Sequence, residues 1–473
     1  MNNNERMNPY MLINFSISNF LSYNEQQTLS MQATKIRKHN ERLHICNQTV
    51  NNIKLTKCCT IYGANASGKS NLVSSLEFAR EFIVKEFPSG FSNKYFRLDD
   101  NKDIPSTFSF DLLINERLYK YEFSILLSRN ILLYEKLALQ NRDVTTSIFE
   151  RDLKNEVFSV GNYFKNPSSI EKLNMYGNDS IYDKLTLFLT IINRSNAKMF
   201  SENPELVILY NIYDWFNNKL KIRDPSLLSS DKPIFTDDNL PLISRIMQSL
   251  GTGITNISLV DVSDENVKTR LPEPFYNSII DDLHKCNSIE LSKATYTAPT
   301  ITASSSSDYY MFEIDRNNEI HIRTIVFQHE NNLTDFALTE ESDGTMRILN
   351  LLEILLDNDD CTFVIDELDR SLHPKLTTEF IKMYLTLAQN RNTQLILTGH
   401  ESRIVAEDLL RNDEINFIIK KNQGCSIINP IDQFNLRSDK STYKALFDGD
   451  IKEILPKINS TEVEISINYN SRL

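Results

Sequence analysis

The chain is poor in glycine, with 11 in 473 residues, and has one tryptophan and six cysteines. The cysteines stand at 46, 58, 59, 286, 361 and 425, and no two form a CxxC pair. That spacing argues against a zinc or redox motif, and the six read as reduced, mostly core residues of a cytoplasmic protein. No run of about 18 apolar residues occurs, and the polar start Met1–Arg6 does not resemble a signal peptide, so neither membrane insertion nor export is expected. Cationic excess is also missing. The net charge of −12 argues against nonspecific coating of DNA, although a local basic groove on a dimer stays open. What remains is ordinary for a globular chain, 41% hydrophobic and 24% charged, with length enough for two or three compact units.

Where glycine is scarce, a glycine pattern carries weight. Gly63, four residues, then Gly68-Lys69-Ser70 reads as a phosphate-binding loop. It follows the apolar strand Cys58–Tyr62 and precedes Asn71–Arg80, whose apolar residues recur at helical spacing. Backbone N–H groups of Gly63, Ala64, Asn65, Ala66, Ser67, Gly68, Lys69, Ser70 and Asn71 are the expected cradle for ATP phosphates, helped by the helix N-terminus. Lys69 should reach the β and γ phosphates, and the Ser70 hydroxyl should ligate Mg²⁺.

Three later stretches complete a set. Cys361–Ile365 is an apolar strand ending in Asp366-Glu367. A carboxylate at the tip of a parallel strand beside a phosphate loop suits a metal ligand, so Asp366 is the second candidate for Mg²⁺. Glu367, the next residue, is the candidate general base for the attacking water. Ser342-Asp343-Gly344-Thr345 opens a leucine-rich helix, with Ser342 as N-cap and Gly344 allowing close approach of a phosphate. His400 follows the apolar strand Gln394–Thr398 and is the candidate sensor of the γ-phosphate. His321 and His329 are isolated and show no ligand spacing.

A long stretch separates Lys69 from Ser342. It begins rich in strands, from about 105 to 160, with Asn115-Glu116-Arg117 as a hairpin turn. Helical patterns follow at Ile181–Ile192, Pro204–Phe216, Leu240–Leu250 and Pro274–His284. No heptad repeat is sustained, so this is expected to be a compact helical insert, an arm or lid rather than a long coiled coil. Trp215 reads as core. Ala303–Asp308 looks like a flexible linker, and Tyr309–Ile314 with Glu319–Phe327 predicts a β-hairpin around Asp315–Asn318.

The order of the four stretches resembles ABC-type ATPases, and more specifically the RloA/AbiL-like and OLD-like ABC ATPases of bacterial phage defence, with a Rad50/RecF/SMC-type head. The resemblance rests on Met11–Tyr23 with Gln27–Ser30, Pro105–Phe110, Leu118–Phe123, Tyr134–Leu137, Glu340–Thr345 and Asn435–Ser441. Asp343 stands where the usual signature has glycine. Leu21 stands where related heads often carry a basic residue, and Ala445–Asp450 departs from the family's tail. The resemblance implies an α/β fold: an ABC-type P-loop ATPase head built from both chain ends, with an antiparallel β subdomain and a helical insert. The expected divisions are 1–165 and 306–432 for the two halves of the head, 166–305 for the insert and 433–473 for the tail.

It also implies a homodimer or higher homo-oligomer that shares its ATP sites, with Ser342, Gly344 and Thr345 capping the γ-phosphate bound by the other copy. Catalysis would fall to Lys69, Glu367 and His400. The expected role is sensor and regulator of a separate effector such as a nuclease, possibly Toprim-like, since too few residues follow His400 for a Toprim domain as well as the last ATPase strands. The alternative is a RecF/Rad50-like DNA-maintenance ATPase stimulated by DNA. A transporter ATPase is disfavoured by the long insert.

Overall fold

A computed structural model describes residues 9–46, 53–141, 144–194, 197–223, 234–293, 295–304, 308–330, 334–357, 360–400, 409–421 and 423–434. In chain order it runs β1 (Tyr10–Ser18), β2 (Gln27–Ser30), β3 (His44–Ile45), β4 (Lys54–Leu55), β5 (Cys58–Tyr62), α1 (Lys69–Val84), β6 (Ser106–Ile114), β7 (Arg117–Leu126), β8 (Ile131–Asn141), β9 (Val144–Asp152) and β10 (Val157–Val160). Next come α2 (Pro167–Ser180), α3 (Phe188–Asn193), α4 (Ala197–Glu202), α5 (Val207–Asp214), β11 (Leu220–Arg223), α6 (Leu240–Ser249), β12 (Ile254–Asp261), α7 (Asp264–Arg270) and α8 (Glu273–Glu290). The chain ends with β13 (Thr300–Ser304), β14 (Tyr309–Ile314), β15 (Ile320–His329), β16 (Phe336–Ala337), α9 (Asp343–Leu356), β17 (Thr362–Ile365), α10 (Pro374–Ala388), β18 (Gln394–Thr398), β19 (Ile415–Lys420) and β20 (Ser426–Pro430). Two compact units result: Met1–Ile222 with Asp359–Glu367 and Leu385–Leu473, and Arg223–Asn358 with Leu368–Tyr384.

The first unit carries the α/β head. Its six-stranded sheet has the order β11-β17-β18-β5-β19-β20. Strands β17, β18, β5 and β19 are parallel, and β20 returns antiparallel to β19. Every residue of β5, β17 and β18 is buried, as continuous apolar runs in a covered parallel sheet must be. Of the four parallel strands, β5 comes from the N-terminal part and β17, β18 and β19 from the C-terminal part, so the head is assembled from both.

An antiparallel sheet, β10-β9-β8-β7-β6-β1-β2, makes the second layer of this unit. Strands β6 and β7 alternate buried with half-buried residues over most of their length, the period-two signature of a sheet with one covered face. Asn115 and Glu116 join them with φ of 50° and 61°, the two left-handed residues of a tight hairpin. The covered face meets α1: Phe108 packs on Phe78 at 5.2 Å and Phe123 on Phe82 at 5.5 Å between ring centres. Burying one such ring stabilises by roughly 1.5–3 kcal/mol, so this face anchors the helix that begins at the phosphate loop. Gln394 of β18 joins the two sheets, accepting from Leu12 N–H at 2.7 Å and donating to Leu12 C=O at 2.9 Å.

Residues 167–219 do not behave as part of a separate insert. Leu173, Phe188, Leu209 and Trp215 belong to the same apolar core as α1 and the antiparallel sheet. Trp215 is fully buried between Phe110 and Phe216. The helix expected over Ile181–Ile192 begins only at Phe188. Asp183 Oδ1 accepts from the N–H groups of Leu185 and Thr186, a local turn that competes with helix. Glu135 then satisfies the first helical N–H groups, at 2.6 Å from Phe188 and 3.0 Å from Leu189.

The second unit is not purely helical either. Strands β12, β15, β14 and β13 form a sheet in that order, with β16 added on β15. The β14–β15 hairpin appears where the sequence predicts it, but β12 and β13 lie in the stretch expected as a helical insert, with Ala303 and Ser304 also in the expected linker. Both acquire their conformation from pairing partners, β12 with β15 and β13 with β14. Ala303 and Ser304 are therefore strand residues opposite Tyr310 and Tyr309, while 305–307 lie outside the described residues. Tyr276, Ile279 and Leu283 of α8 cover Phe312, Ile314 and Ile322. The tail from 435, including Asn435–Ser441 and Ala445–Asp450, also lies outside the described residues.

Glu135 and Arg151 are an ion pair with no exposed surface, 3.4 Å apart, and Tyr121 donates to Glu135 at 2.9 Å. Removing the carboxylate would leave a buried guanidinium without its charge partner and α3 without its cap. Glu135→Ala is expected to lower unfolding free energy by about 3–5 kcal/mol, read as a shift in the urea midpoint, whereas Lys136→Ala on the opposite face should shift it by under about 1 kcal/mol.

Candidate nucleotide site

The site is built on strand ends. Strands β17, β18 and β5 are parallel neighbours, so their C-terminal ends lie on one edge, with β18 in the middle. Gly63 follows β5, Asp366 and Glu367 follow β17, and Gly399 and His400 follow β18. Ligands of open parallel sheets bind beyond this edge. Two contacts lock the three ends together. Gly399 N–H donates to Ile61 C=O at 3.2 Å. The Thr398 hydroxyl donates to Asp366 Oδ1 and accepts from Glu367 N–H at 2.8 Å, so one side chain orients both carboxylate residues. Glu367 is held at φ 49°, a costly backbone state for a residue with a Cβ and one that collects at functional sites.

The phosphate loop needs its glycines for space. A Cβ on Gly63 would lie 2.5 Å from Ile418 C=O, and one on Gly68 would overlap Ser426 Oγ and lie 2.8 Å from Ser22 Oγ. Gly68 also has φ 116°, and Ala66 has φ 59°. Gly68 caps α1 without a side-chain hydrogen bond, so the N–H groups of the first turn are left to the loop and to an anion. Lys69 is buried and bends over the loop, donating to Gly63 C=O at 2.8 Å and Ala64 C=O at 3.2 Å. Asn65, Ala66 and Ser70 are exposed. The Asn71 amide is engaged with Ser22 Oγ at 2.8 Å, an orienting contact within the protein. Ser67 Oγ is buried and has no hydrogen-bond partner among the described residues.

Sequence reasoning missed the layer beneath the loop. The Tyr23 hydroxyl donates to Gly68 C=O at 2.9 Å, and burial raises its pKa well above the usual phenol range, so it stays a donor. Ser426 donates to Ser67 C=O, and its N–H reaches Ser22 C=O at 2.7 Å. Tyr23 and Thr398 sit in stretches whose pattern was visible, but nothing in the sequence pairs them with Gly68 or Asp366. Ser426 carries no local signal at all.

The residues present fit a nucleotide with a hard cation. The loop offers a glycine-lined cradle, an orphaned buried hydroxyl and a lysine, and Ser70 and Asp366 offer the oxygen donors that Mg²⁺ prefers. Ser342, Gly344 and Thr345 belong to the second unit. Ser342 caps α9 as its sequence predicts, accepting from Thr345 N–H at 3.1 Å, and is itself exposed. A Cβ on Gly344 would lie 3.1 Å from Ser371 C=O, so packing within the chain already favours glycine there.

A family model described as "AAA domain, putative AbiEii toxin, Type IV TA system" matches residues 59–180 and 205–406, well over half of the chain. The chain belongs to this family. The match places an AAA-type ATPase domain on the chain, and the matched segments contain the phosphate loop, Ser342–Thr345, Asp366-Glu367 and His400. No curated protein matches it. Among solved structures, the SMC head domain from Thermotoga maritima is 12% identical with a TM-score of 0.31, covering 89% of this chain and 98% of that one. An SmcHead bound to the C-winged helix domain of ScpA is 10% identical with a TM-score of 0.35, covering 88% and 97%. The Smc head from Pyrococcus furiosus, with an extended coiled coil and bound to the C-terminal domain of ScpA, is 11% identical with a TM-score of 0.32, covering 89% and 96%. Likeness at this level bears on neither mechanism nor partners.

Thr398→Val keeps the shape of the side chain and removes the hydroxyl that orients Asp366 and Glu367. It is expected to lower kcat for ATP hydrolysis on the order of 10- to 100-fold with little change in nucleotide affinity, measured by phosphate release and by titration with a fluorescent ATP analogue.

Proposed function

We propose that this AbiEii-type family member hydrolyses ATP between two copies of itself and uses the cycle to hold or release a separate effector in defence against phage. The observation that carries the proposal is the convergence of the phosphate loop, Asp366-Glu367 and Gly399-His400 on one sheet edge, locked by Thr398 and by the Gly399–Ile61 bond. Lys69 and the loop N–H groups bind the phosphates. Ser70 and Asp366 would hold Mg²⁺, which when bound would neutralise phosphate charge. Glu367 accepts a proton from water as the water oxygen attacks the γ-phosphorus and the bond to the ADP oxygen breaks. His400 contacts the γ-phosphate, and Ser342, Gly344 and Thr345 of a second copy cap it through the N-terminus of α9.

The defence role is supported by the resemblance of the opening strands and of Glu340–Thr345 to phage-defence ATPases, and by a family description that speaks of a toxin–antitoxin system. No helix among the described residues is long and apolar enough to cross a membrane.

Glu367→Gln is expected to slow hydrolysis by about 10²- to 10⁴-fold while leaving ATP binding intact, and to accumulate an ATP-dependent dimer in size-exclusion chromatography with light scattering. The gene with its native neighbours should protect cells against some phages in a broad panel, and this substitution should change that protection. Absence of protection, together with ATPase activity raised by DNA ends or gaps, would favour a RecF/Rad50-like maintenance enzyme instead.

A further inference from the structure

The residue that precedes the Ser342 cap makes a contact that the proposed cycle does not use. Strand β15 ends at His329, and β16 turns back along it, with Phe336 opposite Phe327 and Ala337 opposite Val326. A tight turn over Leu338–Glu340 then delivers Glu341, whose N–H donates to Leu338 C=O, and the next residue is Ser342. The Glu341 side chain points back to the sheet. Its Oε1 lies 2.7 Å from His329 Nε2, and only 4% of the side chain is exposed. A carboxylate buried that far is costly unless a donor satisfies it, so the contact fixes where residue 341 sits. For this bond His329 must carry its proton on Nε2.

The imidazole is fixed in its turn. Phe336 meets it edge-on at 5.3 Å between ring centres. Gly253, with φ 80°, passes close to the ring, where a Cβ would lie 3.4 Å from Nδ1. His329 pairs with Ile254 across the β12–β15 ladder, so the ring reports the position of the sheet edge. The path from sheet to cap is therefore His329, Glu341, Ser342, with no intervening flexible residue.

We infer that His329 is a positioning residue: through Glu341 it fixes the entry to the Ser342 helix cap and so couples the β12–β15 sheet to the nucleotide that the cap serves. The inference rests on the proposed role of Ser342 in capping ATP. It makes the sheet of the second unit a control surface, since a ligand or partner that displaces the end of β15 moves the cap without touching the phosphate loop.

The test uses the full chain and compares His329→Leu, His329→Gln, Glu341→Gln and Ser342→Arg for ATP affinity, kcat and urea midpoint. His329→Leu keeps bulk and removes the donor. It should lower kcat and ATP-dependent dimer formation about tenfold, with ATP affinity of the single copy unchanged. His329→Gln, which retains an N–H donor, and Glu341→Gln, which retains an acceptor, should restore most of the rate. Rates corrected for any shift in urea midpoint separate positioning from loss of fold. If Ser342→Arg is inactive but His329→Leu hydrolyses ATP like the wild type, or if His329→Gln is as defective as His329→Leu, the inference is overturned. If Ser342→Arg itself keeps the wild-type rate, it is the capping role of Ser342 that fails, and the inference fails with it.

Discussion

One parallel alignment governs the molecule. β5 comes from near the start of the chain, and β17, β18 and β19 come from near its end, yet they pair side by side with all their C-terminal ends on one edge. Because β18 stands between β5 and β17, Thr398 falls within reach of Asp366, and Gly399 within reach of Ile61. The site is thus a consequence of strand order. The antiparallel layer serves this edge as well, since its aromatic face packs on α1 and the helix start fixes the phosphate loop. Tyr23 holds the Gly68 carbonyl, and Ser22 and Ser426 occupy the space that a Cβ at Gly68 would need.

Much of this was legible in the sequence for a plain reason. Phosphate loops, strand-end carboxylates and helix caps are local devices, and their residue types recur at fixed short spacings. Gly63–Ser70, Asp366-Glu367 and Ser342 are each readable within a window of a few residues, and the β6–β7 and β14–β15 hairpins are short-range too. What escaped was non-local. β12 forms because β15 lies opposite, and the expected helix at Ile181 gives way to a turn made by Asp183 and to a cap supplied by Glu135 from β8. Tyr23 reaches Gly68, and Ser426 reaches Ser67, through folding contacts that no window contains. Residues 167–219 join the first unit's core for the same reason: their apolar faces match a surface contributed by distant strands.

The division of labour between the two units gives the proposed cycle its logic. The phosphate loop, both carboxylates and His400 belong to the first unit, and the Ser342 cap belongs to the second. A cap carried on a separate unit can serve a partner copy. In that arrangement neither copy holds a complete site alone, and ATP becomes the element that joins them.

Complementation between two inactive variants tests that claim most directly. Lys69→Ala removes the phosphate lysine and keeps the cap, while Ser342→Arg blocks the cap and keeps the lysine. If ATP is shared between copies, mixing the two proteins creates one intact site per mixed dimer, and hydrolysis rises above the sum of the separate activities. A mixture that hydrolyses ATP no faster than that sum would contradict the shared site.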